Sequence, residues 1–577
     1  PVRSVRRGAP VAMTFDEATA FLTGPGGPLE IVETEVLGRT QKVFSNIPAT
    51  LRDLFAGLRN QPADNVFLVY EDERWTYAEA IARIDAIAAL LVDRYDVKPG
   101  DRVAVDMRNY PEWVMSFGAI VSIGAVSVSV NAWWTGPEIE YGLIDSGAKV
   151  LIADEERIER IGTQLAALGV RGIAVRMEGE LPEGVDHLDE VLVPGAALPD
   201  VAIDPDSDAT ILYTSGTTGN PKGAVSTNRA VLNGLFSFAC RGIVESLRSD
   251  PKPVVEGAEP ATKYPTCFIL IVPLFHVTGC VPVMLGSIAG GSRLVMMHKW
   301  DPLRALQLIE RERVTNFVGV PTMSQDLISH PDFEKYDTSS LASIGGGGAP
   351  MAPELVRKIE GSFEGKGRPQ LGYGLTETQG YGPGNIGDDY IAKPNSTGRV
   401  LPIMPMRVQD DAGNTLAPGE VGEIQMSGPM LIRGYWNRPE ATAEAIVDGW
   451  LHTGDLGYID EEGFVFIVDR AKDMVLRGGE NVYCAEVEAQ IYEFPLVHEC
   501  AVFGLPHERL GEEVVAAIMV EPGSTLDIAE LEAFLKPRMA AFKMPTQWFV
   551  QEEPLARGAT GKILKREIRA QILADKA

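Results

Sequence analysis

Between Tyr213 and Val225 the chain reads YTSGTTGNPKGAV, a run of hydroxyls and glycines closed by a lysine. Backbone N–H groups and Ser/Thr hydroxyls in such a run can turn towards one concavity and hold phosphate oxygens. Lys222 adds a cation. The Walker A pattern, G-x-x-x-x-G-K-[ST], almost fits from Gly216, but Pro221 takes the second glycine position and Gly223 takes that of the Mg2+-binding hydroxyl. Two departures in so short a pattern set the loop apart from an ordinary P-loop. Alone, it fits a surface turn as well as a phosphate cradle.

Seven further motifs follow in order: PLFHVTG at Pro273, GGGGAP at Gly345, YGLTET at Tyr373, GEIQMSGPMLIRGYWNRPEAT at Gly422, HTGDLG at His452, VDRAKDMVLRGGENVYCAEVE at Val468 and GATGKILKREI at Gly558. With the opening loop, they resemble the signatures of the adenylate-forming superfamily, on its acyl-CoA synthetase or fatty-acid–CoA ligase branch. That superfamily also holds firefly luciferases and peptide-synthetase adenylation domains. The resemblance runs from about Ala49 to the end of the chain.

The resemblance implies an enzyme that joins a carboxylic acid to ATP, releases pyrophosphate, and passes the acyl group to coenzyme A with release of AMP. Attack of a carboxylate on a phosphate pairs two anions, so charge has to be neutralised at the reacting centre. Carried over position by position, Thr214, Ser215, Gly216, Thr217, Thr218, Gly219 and Lys222 would hold the β- and γ-phosphates. Thr376 would hydrogen-bond the α-phosphate and Glu377 would ligate Mg2+. Asp455, helped by Arg470, would accept the ribose hydroxyls; Gly348, Ala349, Pro350 and the ring of Tyr373 would sandwich the adenine. Lys562 would place a compact ammonium between acid and α-phosphate.

For the second half-reaction the resemblance implies a pivot of the C-terminal domain at Lys472, after which Gly478 and Gly479 would line the pantetheine tunnel. Cys484 replaces a usual proline and reads as a small buried residue, since no base accompanies it in sequence. His276 has no carboxylate companion in its motif; the resemblance puts it beside the acid as a gate. A general base is not needed, because an acid of pKa about 4–5 arrives ionised. The acyl pocket would run past His276, Gly346, Gly347, Gly372 and Gly374, whose glycines leave volume, and no charge there recognises an amino group. A hydrophobic acid follows, medium- or long-chain fatty first and aryl or cinnamate-type second. A carrier protein loaded in trans, or a luciferase-like oxygenase, would share the first step.

Positioning these groups requires a large α/β scaffold of stacked sheets and helices, a distorted β-barrel subdomain and a small mobile α+β domain. The expected division is an N-terminal extension at 1–48, an adenylate-forming domain at 49–470 and a C-terminal domain at 471–577. Apolar runs at Asp101–Met107, Val126–Asn131, Lys149–Asp154 and Ala209–Ser215 predict strands, the last feeding the phosphate loop and then a helix. Arg304–Val314 predicts an amphipathic helix before the strand NFVGV, and the Pro- and charge-rich segment Arg241–Lys263 predicts an exposed loop. A hairpin turn is expected at Glu461–Gly463.

Composition narrows the setting. Fifty-two Lys and Arg against 80 Asp and Glu give a net charge of −28, which disfavours nucleic acid or an anionic membrane as partner. Five scattered cysteines without a C-x-x-C pair argue against a disulfide or zinc framework and fit a cytoplasmic protein. The basic N-terminus has no apolar h-region. Two long uncharged stretches, Trp113–Pro137 and Tyr264–Ser292, read as buried core rather than transmembrane segments. A homodimer is the oligomeric expectation.

Overall fold

The computed structural model describes residues 13–214, 221–249, 264–349, 351, 353–363, 367–521, 523–558 and 561–576. Among these residues the strands form five sheets. The first runs, in spatial order, Gly434–Tyr435, Lys222–Thr227, Asp208–Thr214, Val126–Ser129, Arg102–Asp106, Val150–Asp154, Arg171–Val175 and Val185–His187. Its strands from Asp208–Thr214 to Val185–His187 are parallel. The second runs Gly384–Ile386, Arg368–Gly372, Ser343–Gly347, Asn316–Gly319, Cys267–Leu270, Arg293–Met296, Val66–Tyr70 and Glu73–Thr76. Parallel strands buried on both faces need near-continuous apolar runs, and VLIAD at Val150–Asp154 is buried throughout.

The two large sheets pack through helices. Tyr77–Asp93 begins at a capping box in which Thr76 and Glu79 satisfy each other's backbone N–H. Pro111–Ser122 carries the start of the first uncharged stretch, and Trp113 and Phe117 stack inside the core at 5.4 Å. The second uncharged stretch supplies the strand Cys267–Leu270 and a π-helical segment, Gly279–Leu285, that contains Pro282. Both stretches are thus core, as expected. The helix Asn228–Ser249 is long and apolar enough, over Asn228–Arg248, to cross a membrane, yet Leu232, Leu235, Cys240 and Val244 are buried in the fold.

A five-stranded antiparallel sheet follows, built on Trp450–Ile459 and Gly422–Met426. The turn to its neighbour Val465–Arg470 closes with Gly463 at φ +81°, in the place expected. The last sheet pairs Val497–His507 with Gly511–Val520 and has its own apolar core.

Two sequence expectations are corrected. The phosphate loop does not lead into a helix: Lys222–Thr227 returns antiparallel to Asp208–Thr214, and the helix starts only at Asn228. Residues 215–220, between the two strands, lie outside the described residues. The segment Arg241–Lys263 is not loop from its start, because the Asn228–Ser249 helix continues through Arg241 to Ser249; the remainder of that segment from 250 lies outside the described residues. The helix expected at Arg304–Val314 spans Pro302–Glu312, opened by the Asp301 cap and closed by Arg313 in the left-handed region.

Candidate active site

A cavity of about 990 Å³ opens between the second sheet, the antiparallel sheet and the C-terminal domain. It brings together Thr214, Lys222, His276, Gly346, Gly347, Gly348, Gly372, Tyr373, Gly374, Thr376, Glu377, Arg470, Lys472 and Lys562. Residues separated by up to 349 positions along the sequence, from Tyr213 to Lys562, line one chamber.

One wall is formed by Asp208–Thr214 and Lys222–Thr227, the strands that flank the expected phosphate loop. Thr214 and Lys222 face each other across its mouth, with Thr214 Oγ1 donating to the Lys222 carbonyl at 3.3 Å. Ser215, Gly216, Thr217, Thr218 and Gly219, expected to hold phosphate, lie outside the described residues, as does Pro350. The outer strand Gly434–Tyr435 pairs with Lys222–Thr227 and delivers Tyr435 beside the hairpin. The Tyr435 hydroxyl donates to Glu377 Oε1 at 2.7 Å, and the Lys222 ammonium lies 5.2 Å from the centre of the Tyr435 ring. Burial, and then the Glu377 carboxylate, push the Tyr435 phenol up, so it stays a donor.

Glu377 sits in a short turn, Thr376–Thr378, that follows directly from the second sheet through Tyr373 and Gly374. Among the described residues no group of three or more His, Cys, Asp or Glu could hold a metal unaided. One carboxylate lining the chamber with Lys222 nevertheless fits Mg2+, which takes one or two protein carboxylates and completes its shell with phosphate oxygens and waters.

The residues expected to take the ribose do meet. Asp455 is 2 % exposed; Arg470 Nε lies 3.1 Å from its Oδ1, and the Tyr373 hydroxyl donates to its Oδ2. Asp455 itself stands just behind the lining, where Tyr373, Thr453, Gly454 and Arg470 surface. Ala349 also stands outside the lining, although Gly348 beside it belongs to it.

Lys562 arrives from the C-terminal domain on a turn whose Gly558 N–H donates to the Lys562 carbonyl at 2.9 Å. A Cβ at Gly561 would lie 3.2 Å from Val320, so this turn rests against the large domain. Lys562 lines the chamber and is exposed to it, with protein packed densely around the remainder of the side chain. That crowding, with Arg470 and Lys472 nearby, lowers its pKa to about 8 against the pull of Asp455 and Asp473. His276 is lowered to about 4, by burial first and by Lys562 second, and is neutral at pH 7. Its Nδ1 accepts the Thr278 N–H at 3.3 Å, so Nε2 carries the proton and is the donor free to meet an acid.

The glycines are not simply spacers. Gly346 has φ +153°, and a Cβ there would stand 1.9 Å from the Gly319 carbonyl of the neighbouring strand. Gly374 would meet the Gly380 carbonyl at 2.1 Å. Close approach of strand backbone demands the first and close approach of a turn the second, whereas at Gly372 the nearest atom would be 3.8 Å away and the glycine does leave room. Beyond them the chamber is walled by Phe236, Phe238, Phe268, Val272, Val318 and Ile386.

Gly478 and Gly479 do not line this chamber. They form the exposed turn between Val475–Arg477 and Glu480–Val482, both in the left-handed region at φ +62° and +91°. Cys484 is buried, opens the helix Cys484–Ile491, and uses its N–H, which a proline would lack, to donate to Asp469. Tyr435 was visible in its motif, but nothing in sequence announced that its hydroxyl would meet Glu377. Arg241, read as loop, lines the chamber instead.

Comparison with known proteins agrees with this geometry. The AMP-binding enzyme family model matches residues 54–436, and the AMP-binding enzyme C-terminal domain matches 486–562. A feruloyl-CoA synthase from Amycolatopsis sp is 36% identical over 504 residues, covering 86% of this chain and 93% of that protein. A long-chain-fatty-acid–CoA ligase from Bacillus subtilis (strain 168) is 33% identical over 548 residues, covering 90% and 94%. The crystal structure of ATP-bound MatB from Rhodopseudomonas palustris superposes with a TM-score of 0.77 at 30% identity, covering 90% of this chain and 99% of that one. In sequence, fold and order of motifs, the chain belongs to the AMP-binding enzymes of the adenylate-forming superfamily, on the acyl-CoA synthetase branch.

Proposed function

We propose that this enzyme adenylates a hydrophobic carboxylic acid, a medium- or long-chain fatty acid before an aryl one, and transfers the acyl group to coenzyme A, with release of pyrophosphate and AMP. Its co-substrates are ATP and coenzyme A, and its metal is Mg2+. The observation that carries the reading is Lys562 in the same chamber as Thr376, Glu377 and both ends of the phosphate hairpin. An acid lying between the neutral His276 and the Lys562 ammonium is ionised, keeps its charge and meets the α-phosphate held by Thr376. Lys562 offsets the charge that builds between them. Glu377, oriented by Tyr435, would hold Mg2+, whose chemistry is to neutralise phosphate charge. The apolar end of the chamber supports a hydrophobic tail. Its aromatic residues also suit an aryl acid, and the likeness to a feruloyl-CoA synthase supports that second reading.

The test is release of AMP and pyrophosphate across fatty, aryl and short acids, with and without coenzyme A. Fatty acids should give the highest kcat/KM, and AMP release should require the thiol. Oxygen uptake during turnover would point to an oxygenase instead, and a panel without AMP release would end the ligase reading.

A further inference from the structure

The chamber is not apolar to its end. Val320, Val318 and Asn316 alternate on one face of the second sheet, and the Lys562 turn rests on Val320. Four residues of strand put Asn316 about 13 Å from that end. Gln370 lies nearby on the strand Arg368–Gly372. Both amides donate to one hydroxyl, Ser343 Oγ, at long distances of 3.3 and 3.5 Å, so each keeps a second N–H to offer.

Arg241 joins them from the Asn228–Ser249 helix. It is 5 % exposed and lines the chamber. Its Nη1 donates to the Gly384 carbonyl at 2.9 Å, and its Nη2 donates to the Tyr381 hydroxyl and the Arg399 carbonyl. Gly384 pairs with Gly372, two residues along the strand from Gln370. The Nε–H has no acceptor among the described residues and is sealed from the chamber against Gly384. No ion pair to Arg241 is made among them either; the one acid on its helix, Glu245, pairs with Arg248 at 2.8 Å. A guanidinium charge that makes no ion pair among the described residues, in the same wall as two amides that each keep an N–H, suits a ligand oxygen better than an apolar tail.

We propose that the acid carries a second oxygen function, a carbonyl or a carboxylate, at the far end of its carbon skeleton, received by Arg241 with Asn316 and Gln370. This rests on the acid–thiol ligase reading and refines its substrate class. The test measures kcat/KM for AMP release with decanoate, its ω-carboxy analogue sebacate, and the matching ω-oxo acid. At least one oxygenated acid should exceed decanoate by about 10-fold or more, because a site built to hydrogen-bond a substrate rejects the analogue lacking the partner. A lead for the ω-oxo acid assigns a carbonyl, and a lead for sebacate assigns a carboxylate. R241M and Q370L should each narrow the gap. The second keeps the Arg241 bonds to Gly384, Tyr381 and Arg399, so it reports even where the first fails to fold. Decanoate equal to or better than both analogues in the unaltered enzyme overturns the proposal and leaves the ligase reading intact. No AMP from any acid overturns both.

Discussion

Lys562 and His276 face the same chamber with pKa values displaced in the same direction, and the displacements have opposite consequences. A lysine lowered to about 8 keeps its charge below that pH and loses it above. Adenylation, read as pyrophosphate release at low substrate, should therefore decline as pH rises through about 8. His276, at about 4, is neutral from pH 5 upward, so no second limb should appear near its ordinary value. Lys562→Ala should cut pyrophosphate release by about 10²–10³-fold. Thiol attack on supplied acyl-adenylate should suffer less; equal losses in the two half-reactions would reassign the residue. Tyr435→Phe removes a hydrogen bond to the Glu377 carboxylate, of a kind worth about 1.5–3 kcal/mol. The expected result is a raised half-saturating Mg2+ concentration with little change in the KM for the acid, whereas a merely structural role would move both together.

At the scale of elements, two glycines in neighbouring motifs behave differently. Gly346→Ala forces a Cβ into a backbone carbonyl and should lower the melting temperature sharply. Gly372→Ala fits, and should instead shift the preferred acid towards shorter or slimmer tails at nearly unchanged stability, as a substrate-length series would show. Sequence could not separate the two, because a glycine required by strand approach and one that opens space are written with the same letter. Four of the eight strands of the first sheet were legible, since Val150–Asp154 is a continuous apolar run and Val126–Ser129 alternates valine with serine. The return strand Lys222–Thr227 was not, because its start is read as part of the loop motif. Arg241 reads as the start of a loop because Pro and charge are rich in Arg241–Lys263, whereas the Asn228–Ser249 helix carries it. Its satisfaction by carbonyls from residues 384 and 399 exists only in three dimensions.

Across the whole molecule, motif order announced which residues would matter, but not the state in which they would meet. The structure holds Lys562 in the chamber and Gly478 and Gly479 outside it, an arrangement suited to the first half-reaction. Lys472 lies in the turn after Val465–Arg470, and its N–H makes no hydrogen bond among the described residues. Lys472→Pro should thus fold and form adenylate, yet fail to make thioester if the domain must swing there. Normal overall turnover in that variant would sink the pivot. One remote feature bears on the acid rather than on the nucleotide. The helix Phe15–Thr23 lies against Asn228–Ser249, and Phe15 packs at 4.0 Å on the guanidinium of Arg399, whose carbonyl receives Arg241. The family match begins only at residue 54, so this buttress stands upstream of every group assigned to chemistry. If Arg241 receives the far end of the acid as proposed, change in the leading segment would retune which tail is admitted while the machinery that handles ATP stays as it is.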